Sequence, residues 1–125
     1  MPKRIDLLVV EDDEATCLAY EEYCKDRDDI FLIGTSAHSI EALKITEEFR
    51  PNAVVLDLEL TYGSGNGFDY LMDYDKLHLD VRLYVVVVTN NLSQTTYAVV
   101  RNMGADFIIA KSQQDYSVEY VVNFL

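Results

Sequence analysis

Two kinds of apolar pattern alternate along the chain. Short uninterrupted runs rich in Val, Ile and Leu predict β-strands over residues 5–10, 30–34, 53–57, 83–88 and 107–110. Between them, apolar residues recur at helical spacing, which predicts helices over residues 14–26, 39–49, 67–77, 92–103 and 114–125. Because strand and helix alternate throughout, we expect an α/β fold, with a mainly parallel sheet covered by helices on both faces.

The same pattern predicts helix faces and helix ends. The core-facing stripes of the first two helices would comprise Ala15, Leu18, Ala19 and Tyr23, and then Ile40, Leu43, Ile45 and Phe49. The expected caps are Asp13 for the first helix, Ser36 or Ser39 for the second, Asn91 for the start of the fourth, and Gly104 just beyond its end.

The chain has 125 residues, the length of one domain, so we treat residues 1–125 as a single unit. Its 22 acidic residues outnumber 10 Lys and Arg, and the net charge is −12. Such a surface repels phosphate backbones and anionic lipid, which argues against nucleic-acid or membrane binding by this domain and favours a metal cation or a basic partner.

No apolar run approaches the roughly 20 residues that span a bilayer, and the run after the N-terminal basic pair is too short for a signal peptide. We therefore expect a soluble, cytoplasmic protein.

Cys17 and Cys24 lie two helical turns apart, too far for a disulfide, and are expected to be reduced, partly buried thiols. Because His38 and His78 are isolated, the sequence offers no zinc ligand set.

Polar residues end or follow four of the predicted strands. These residues are Glu11, Asp12 and Asp13 after the first strand, Asp57 as the last residue of the third, Thr89 after the fourth and Lys111 after the fifth. In a parallel sheet they would share one edge, where ligands bind. An acidic run after a strand is commonly a solvated turn, but an Asp inside the run AVVLDLEL is harder to explain without a partner. Crowded carboxylates repel one another, and their hard oxygen atoms suit Mg²⁺.

The chain resembles the receiver domain of two-component response regulators. Four segments carry the resemblance, in the family's order: LLVVEDDE (7–14), AVVLDLEL (53–60), VVVVTN (85–90) and GADFIIAK (104–111). The resemblance covers essentially the whole chain. It implies a flavodoxin-like, doubly wound (βα)5 fold with strand order 2-1-3-4-5.

The resemblance also implies a chemistry. Asp57 would accept a phosphoryl group from a sensor histidine kinase or phosphotransfer protein, and the domain would catalyse its own phosphorylation and dephosphorylation. Mg²⁺ would be held by Glu11, Asp12, Asp57 and the backbone carbonyl of Glu59, while Thr89 and Lys111 would contact the phosphoryl group. The added charge would then switch the conformation and control an output domain or partner.

Several positions depart from the family pattern. The loop after Asp57 reads LELTYGSGNGF, which is glycine-rich and about two residues longer than usual. Ser112 stands where proline is common, with a trans bond expected, and Ile108 replaces the usual aromatic switch residue, since Phe107 should face the other side of the sheet. We expect Asn90 and Glu59 to flank the phosphoryl group and to tune its access to water.

Two other functions remain open at this point. The changed switch positions favour a phosphorylation-independent pseudo-receiver, although the Glu11, Asp12, Asp57, Thr89 and Lys111 set opposes it. A phosphohydrolase with Asp57 as nucleophile would need a second acid, for which Glu59 is weak support.

The chain would be a stand-alone receiver or one excised from a larger regulator. A homodimer or output partner would use the face of the fourth helix, fifth strand and fifth helix, which carries Tyr97, Arg101, Tyr116 and Tyr120.

Overall fold

The computed structural model describes residues 4–60, 67–77, 82–90 and 93–125. The strands are β1 (Ile5–Val10), β2 (Ile30–Ser36), β3 (Ala53–Asp57), β4 (Tyr84–Thr89) and β5 (Phe107–Ala110). The helices are α1 (Glu14–Cys24), α2 (Ser39–Phe49), α3 (Gly67–Lys76), α4 (Gln94–Asn102) and α5 (Val118–Asn123). Every predicted element is present in the predicted order, although α5 begins later than residue 114.

All five strands form one parallel sheet in the order β2-β1-β3-β4-β5, which confirms the flavodoxin-like topology. The strand order reverses between β1 and β3, so a crevice is expected at their carboxyl ends. Every residue of β3 is buried, as its uninterrupted apolar composition predicts for a strand covered on both faces.

The core has two layers, one on each face of the sheet. Alternate strand residues point to opposite faces, so Val54 packs with α2, α3 and α4, whereas Val55 packs with α1 and α5. No helix within the described ranges is long and apolar enough to cross a membrane.

The predicted core stripe of α1 (Ala15, Leu18, Ala19, Tyr23) is wrong for its first three residues, which are exposed, whereas Tyr23 is partly buried against the core. Leu18 is 55% exposed, whereas Tyr20 and Cys24 are buried. The helix carries apolar residues on two sides, and Tyr20 and Cys24 belong to the buried side. Cys17 and Cys24 are free thiols, half-buried and buried, as expected.

The predicted stripe of α2 (Ile40, Leu43, Ile45, Phe49) is only partly correct. Leu43 and Ile45 pack against the core, but Ile40 and Phe49 are 50% and 58% exposed. The fully buried face consists instead of Ser39, Ala42 and Thr46, whose small side chains allow the helix to lie close to its neighbours. The Thr46 hydroxyl donates to the carbonyl of Ala42 and bonds the hydroxyl of Tyr70 on α3, so this polar group is satisfied although buried.

The helix caps agree with the sequence only in part. Asp13 caps α1 by accepting from the backbone N–H of Thr16, and Gly104 follows α4 with a positive φ of 106°, both as predicted. The N-caps of α2 and α4 are His38 and Ser93, not the predicted residues. Asn91 lies outside the described residues.

Candidate functional site

The carboxyl ends of four strands bring the predicted polar residues together. Glu11 follows β1, Asp57 ends β3 and Thr89 ends β4; their exposed fractions are only 5%, 3% and 1%. Lys111 directly follows β5, and its side chain is 18% exposed. Charged groups are rarely buried without partners, so their mutual contacts decide what this edge can do.

Lys111 lies between two of the carboxylates. Its Nζ donates to Oδ2 of Asp57 at 2.9 Å and lies 3.5 Å from Oε1 of Glu11. The other oxygen of Asp57, Oδ1, accepts from the backbone N–H of Glu59 at 3.0 Å. Burial by itself would lower the pKa of Lys111, because it disfavours the charged form. The hydrogen bond to Asp57 and the negative charges of Asp57 and Glu11 have the larger combined effect, so the pKa of Lys111 lies above its usual value.

Burial and the neighbouring Asp57 both disfavour the ionised form of the Glu11 carboxyl. Burial raises the pKa of Glu11 to about 7, and the hydrogen bond with Asp57 and the negative charge of Asp57 act in the same direction. Its Oε2 accepts from the backbone N–H groups of Asp12 and Asp13 at 3.0 and 3.1 Å, which fixes the side chain toward the strand ends. A positive charge at this point would stabilise the ionised form.

These acids also satisfy the geometry of a metal site. One carboxylate oxygen from each of Glu11, Asp12 and Asp57 lies within 4.8 Å of the others. All three residues offer hard oxygen atoms, the type of ligand that Mg²⁺ and Ca²⁺ prefer. The raised pKa of Glu11 reflects burial and repulsion that a divalent cation would offset, so the residues present fit such an ion.

Glu59 makes contacts that the sequence does not predict. Its side chain reaches from the end of β3 to the end of β4, where Oε2 accepts from the hydroxyl of Thr89 at 2.8 Å and Oε1 accepts from the backbone N–H of Asn90. One signal in the sequence could have found them, because residues 57 and 59 of an extended chain point to the same side. Asn90 itself is exposed.

Gly67 places α3 directly behind the site. Its N–H donates to the carbonyl of Leu58 at 3.3 Å, and a Cβ atom here would lie 2.6 Å from the carbonyl oxygen of Asp57 and 2.7 Å from Cα of Leu58. Only glycine permits this approach of backbone to backbone. The sequence places Gly67 at the junction of the glycine-rich loop and the predicted third helix, but it does not indicate this close approach. Tyr62, Gly63 and Gly65 of the same loop lie outside the described residues.

The first two positions of β5 lie on opposite faces of the sheet, as their alternation predicts. Ile108 packs against the α2, α3 and α4 side of the core, whereas Phe107 lies on the opposite face, with its ring 5.0 Å from that of Phe124. Among the described residues, which include Lys111 and Ser112, no cis peptide bond occurs, so the expected trans bond is confirmed.

Comparison with known proteins gives a consistent result. The family model for the response regulator receiver domain matches residues 7–122. A DNA-binding response regulator of the LuxR family from Staphylococcus aureus is 24% identical, with a TM-score of 0.79, over 95% of this chain and 93% of its own. A CheY-like receiver domain protein from Methanospirillum hungatei JF-1 is 20% identical, with a TM-score of 0.78, over 98% and 90% of the two chains.

A third similar structure is the Mn²⁺-bound form of response regulator Rcp1. It is 23% identical, with a TM-score of 0.76, over 96% of this chain and 91% of its own. At these identities the structural likeness shows the fold alone, and the family model carries the classification.

Proposed function

Because this chain belongs to the response regulator receiver domain family, we propose that it accepts a phosphoryl group onto Asp57 in a Mg²⁺-dependent reaction. The donor is a sensor histidine kinase or a phosphotransfer protein, and the cytoplasmic location expected from the sequence is part of the same proposal. One observation carries it: Asp57 is 3% exposed at the end of β3, paired with Lys111 and beside two further carboxylates.

The metal ligands in this proposal are Glu11, Asp12, Asp57 and, by family resemblance, the backbone carbonyl of Glu59. When bound, Mg²⁺ would reduce the repulsion between the carboxylate nucleophile and the anionic donor. The close approach of the three carboxylates supports this assignment, as does the Mn²⁺-bound form of Rcp1.

The side chains around Asp57 have separate tasks. One Asp57 oxygen attacks phosphorus while the bond from phosphorus to the donor nitrogen breaks and its electron pair stays on nitrogen. Lys111, already 2.9 Å from Asp57, orients the carboxylate and then neutralises charge on the phosphoryl oxygens, to which the Thr89 hydroxyl also donates. Later attack by water on phosphorus releases phosphate and returns the carboxylate, at a rate that Asn90 tunes through water access.

Phosphorylation would then act on the neighbouring elements. The phosphoryl group adds charge and acceptors at the ends of β4 and β5, which draws Thr89 toward Asp57 and shifts β4 and α4. Ile108 occupies the switch position, so the change proceeds without rotation of an aromatic ring there. An output domain or partner reads the altered face of α4, β5 and α5.

The test is phosphorylation by a small-molecule donor. Wild type and Asp57→Asn would be incubated with acetyl phosphate and Mg²⁺, and their intact masses compared. We expect one phosphoryl adduct on wild type, none on Asp57→Asn, and none on wild type in EDTA. An unmodified wild type that releases no phosphate would contradict the proposal and favour a phosphorylation-independent interaction module, whereas sustained release of phosphate with no accumulating adduct would favour a phosphohydrolase.

A further inference from the structure

We propose that the Glu59 side chain is an internal competitor of the phosphoryl group: it occupies the hydrogen-bond donors at the end of β4 in the resting protein and must leave before Asp57 is phosphorylated. The inference rests on the proposed function, which assigns the Thr89 hydroxyl to the incoming phosphoryl group, and it adds the adjacent backbone N–H of Asn90 as a second donor. It assigns to Glu59 a gating role that is distinct from its backbone carbonyl.

The contacts define the competition. Both carboxylate oxygens of Glu59 are engaged at once, one by the Thr89 hydroxyl at 2.8 Å and the other by the backbone N–H of Asn90. Two adjacent donors that converge on one anion form an anion-binding pair, and charged acceptors make such bonds stronger than neutral ones. The backbone of Glu59 is held in place by its N–H donating to Asp57 at 3.0 Å.

The two anions cannot share this pair. A threonine hydroxyl and a backbone amide each carry a single proton, so neither donates a full hydrogen bond to Glu59 and to a phosphoryl oxygen together. If both anions contacted the same two donors, the Glu59 carboxylate and the phosphoryl group would also repel each other. The site already contains the carboxylates of Glu11, Asp12 and Asp57. Phosphorylation therefore requires the Glu59 side chain to rotate away from Thr89.

Rotation toward solvent is open to this side chain, because Glu59 is only half-buried. The protein then exists in two states, with the carboxylate on the donors or away from them, and only the second binds the phosphoryl group. The observed rate of phosphorylation is therefore the rate of the second state multiplied by the fraction of molecules in that state. When phosphate leaves, Glu59 returns to the donors and restores the resting form.

The experiment compares Glu59→Ala with Glu59→Gln. Both variants remove the negative charge, but glutamine keeps an oxygen that accepts from Thr89 or Asn90, and alanine keeps none. We expect phosphorylation by acetyl phosphate at fixed Mg²⁺ to be about tenfold faster in Glu59→Ala than in wild type, with Glu59→Gln between them. Glu48→Ala, which removes an exposed acid on α2, is the matched control and should react at the wild-type rate.

A second readout reports the contact itself. In wild type the Asn90 amide proton should lie downfield, as for a hydrogen bond to a carboxylate, and it should move upfield in Glu59→Ala but not in Glu48→Ala. Equal, measurable phosphorylation rates in wild type and Glu59→Ala would overturn the inference and leave the proposed function intact. Equal acceleration by alanine and glutamine would also overturn it, since charge alone would then explain the effect.

The remaining outcomes separate the two proposals. A measurable adduct on wild type that forms more slowly than the adducts on Glu59→Gln and Glu59→Ala would support both proposals. If wild type, Glu59→Ala and Glu59→Gln all lack an adduct, the proposed function and the inference fail together.

Discussion

At the residue scale, Lys111 is what allows acidic side chains to be buried at the strand ends. Its Nζ contacts Asp57 at 2.9 Å and Glu11 at 3.5 Å, and both carboxylates are more than nine-tenths buried. Asp12, the third acid, is half-buried. One lysine against three carboxylates leaves net negative charge in a poorly solvated place, which a divalent cation would compensate.

The residue-scale prediction concerns Asp12. Asp12→Asn should weaken Mg²⁺ binding, because it replaces one of three clustered carboxylates with a neutral amide. A ligand at a hundredfold excess over its Kd stabilises the folded state by about 2.7 kcal/mol, so wild type should gain thermal stability as MgCl2 is added. Asp12→Asn should gain much less at the same concentrations, as measured by circular dichroism.

The neighbouring acid provides the control. Asp13 accepts from the backbone N–H of Thr16 as the N-cap of α1, and asparagine caps helices about as well as aspartate. Asp13→Asn removes the same charge one position away and should keep the wild-type response to Mg²⁺. Identical responses in Asp12→Asn and wild type would remove Asp12 from the metal site.

At the element scale, the start of α3 controls how the helix meets the site. Gly67 lies against the backbone of Asp57 and Leu58, with no room for a Cβ atom. A few residues along α3, Tyr70 is fully buried and its hydroxyl bonds Thr46 on α2. These contacts fix the packing of α3 on α2 and on the end of the strand that carries Asp57.

The element-scale prediction is that Gly67→Ala destabilises the protein. The new methyl group would meet backbone atoms 2.6 and 2.7 Å away, so the helix or the end of β3 must shift. Overpacking of this kind costs about 1–3 kcal/mol, which urea unfolding would measure as a lower midpoint. Because β3 ends at Asp57, phosphorylation by acetyl phosphate should also slow.

Gly34 in β2 provides the control for the substitution at Gly67. A Cβ atom at Gly34 meets nothing within 4 Å, and its φ is not positive. Gly34→Ala should therefore be neutral or stabilise by roughly 0.5 kcal/mol, since alanine loses less backbone entropy on folding. If both substitutions leave the midpoint unchanged, the close approach of α3 to β3 does not constrain position 67.

At the scale of the whole molecule, net charge bears on the interaction face expected from the sequence, which α4, β5 and α5 form. The net charge of −12 opposes association between copies of the chain, and salt screens that repulsion. Tyr97 on α4 is 46% exposed, and Arg101, on the same helix, donates to the backbone carbonyl of Asp106 just before β5. Both residues belong to the face of α4, β5 and α5.

The prediction at this scale is a phosphorylation-dependent homodimer through that face. Phosphorylated wild type should sediment as a dimer, more completely at high than at low ionic strength, while the unmodified protein stays monomeric. Tyr97→Glu should abolish the dimer, because it places a further negative charge in the contact. Leu18→Glu on α1, at a site 55% exposed, should dimerise as wild type does. A dimer that persists in Tyr97→Glu would exclude this face.

The sequence by itself determined the order of elements and the composition of the strand-end site. Strand and helix periodicity are local properties, and the apolar runs of β3 and β4 require burial on both faces, so a parallel sheet follows. In such a sheet the carboxyl ends share an edge. That is why the convergence of Glu11, Asp57, Thr89 and Lys111 could be predicted before any distance was known.

The tertiary structure alone decided how closely segments approach each other. The hydrophobic pattern predicts that the most apolar face of a helix is the buried one. In α2 the buried face instead consists of Ser39, Ala42 and Thr46. Their side chains are small, and the Thr46 hydroxyl is hydrogen-bonded, so the helix can pack closely. The reach of Glu59 to Thr89 and the absence of space at Gly67 depend on distances between segments far apart in the chain. Such distances follow from the packed whole; a local pattern places the side chains of residues 57 and 59 on one side of the chain but does not give their distance to Thr89.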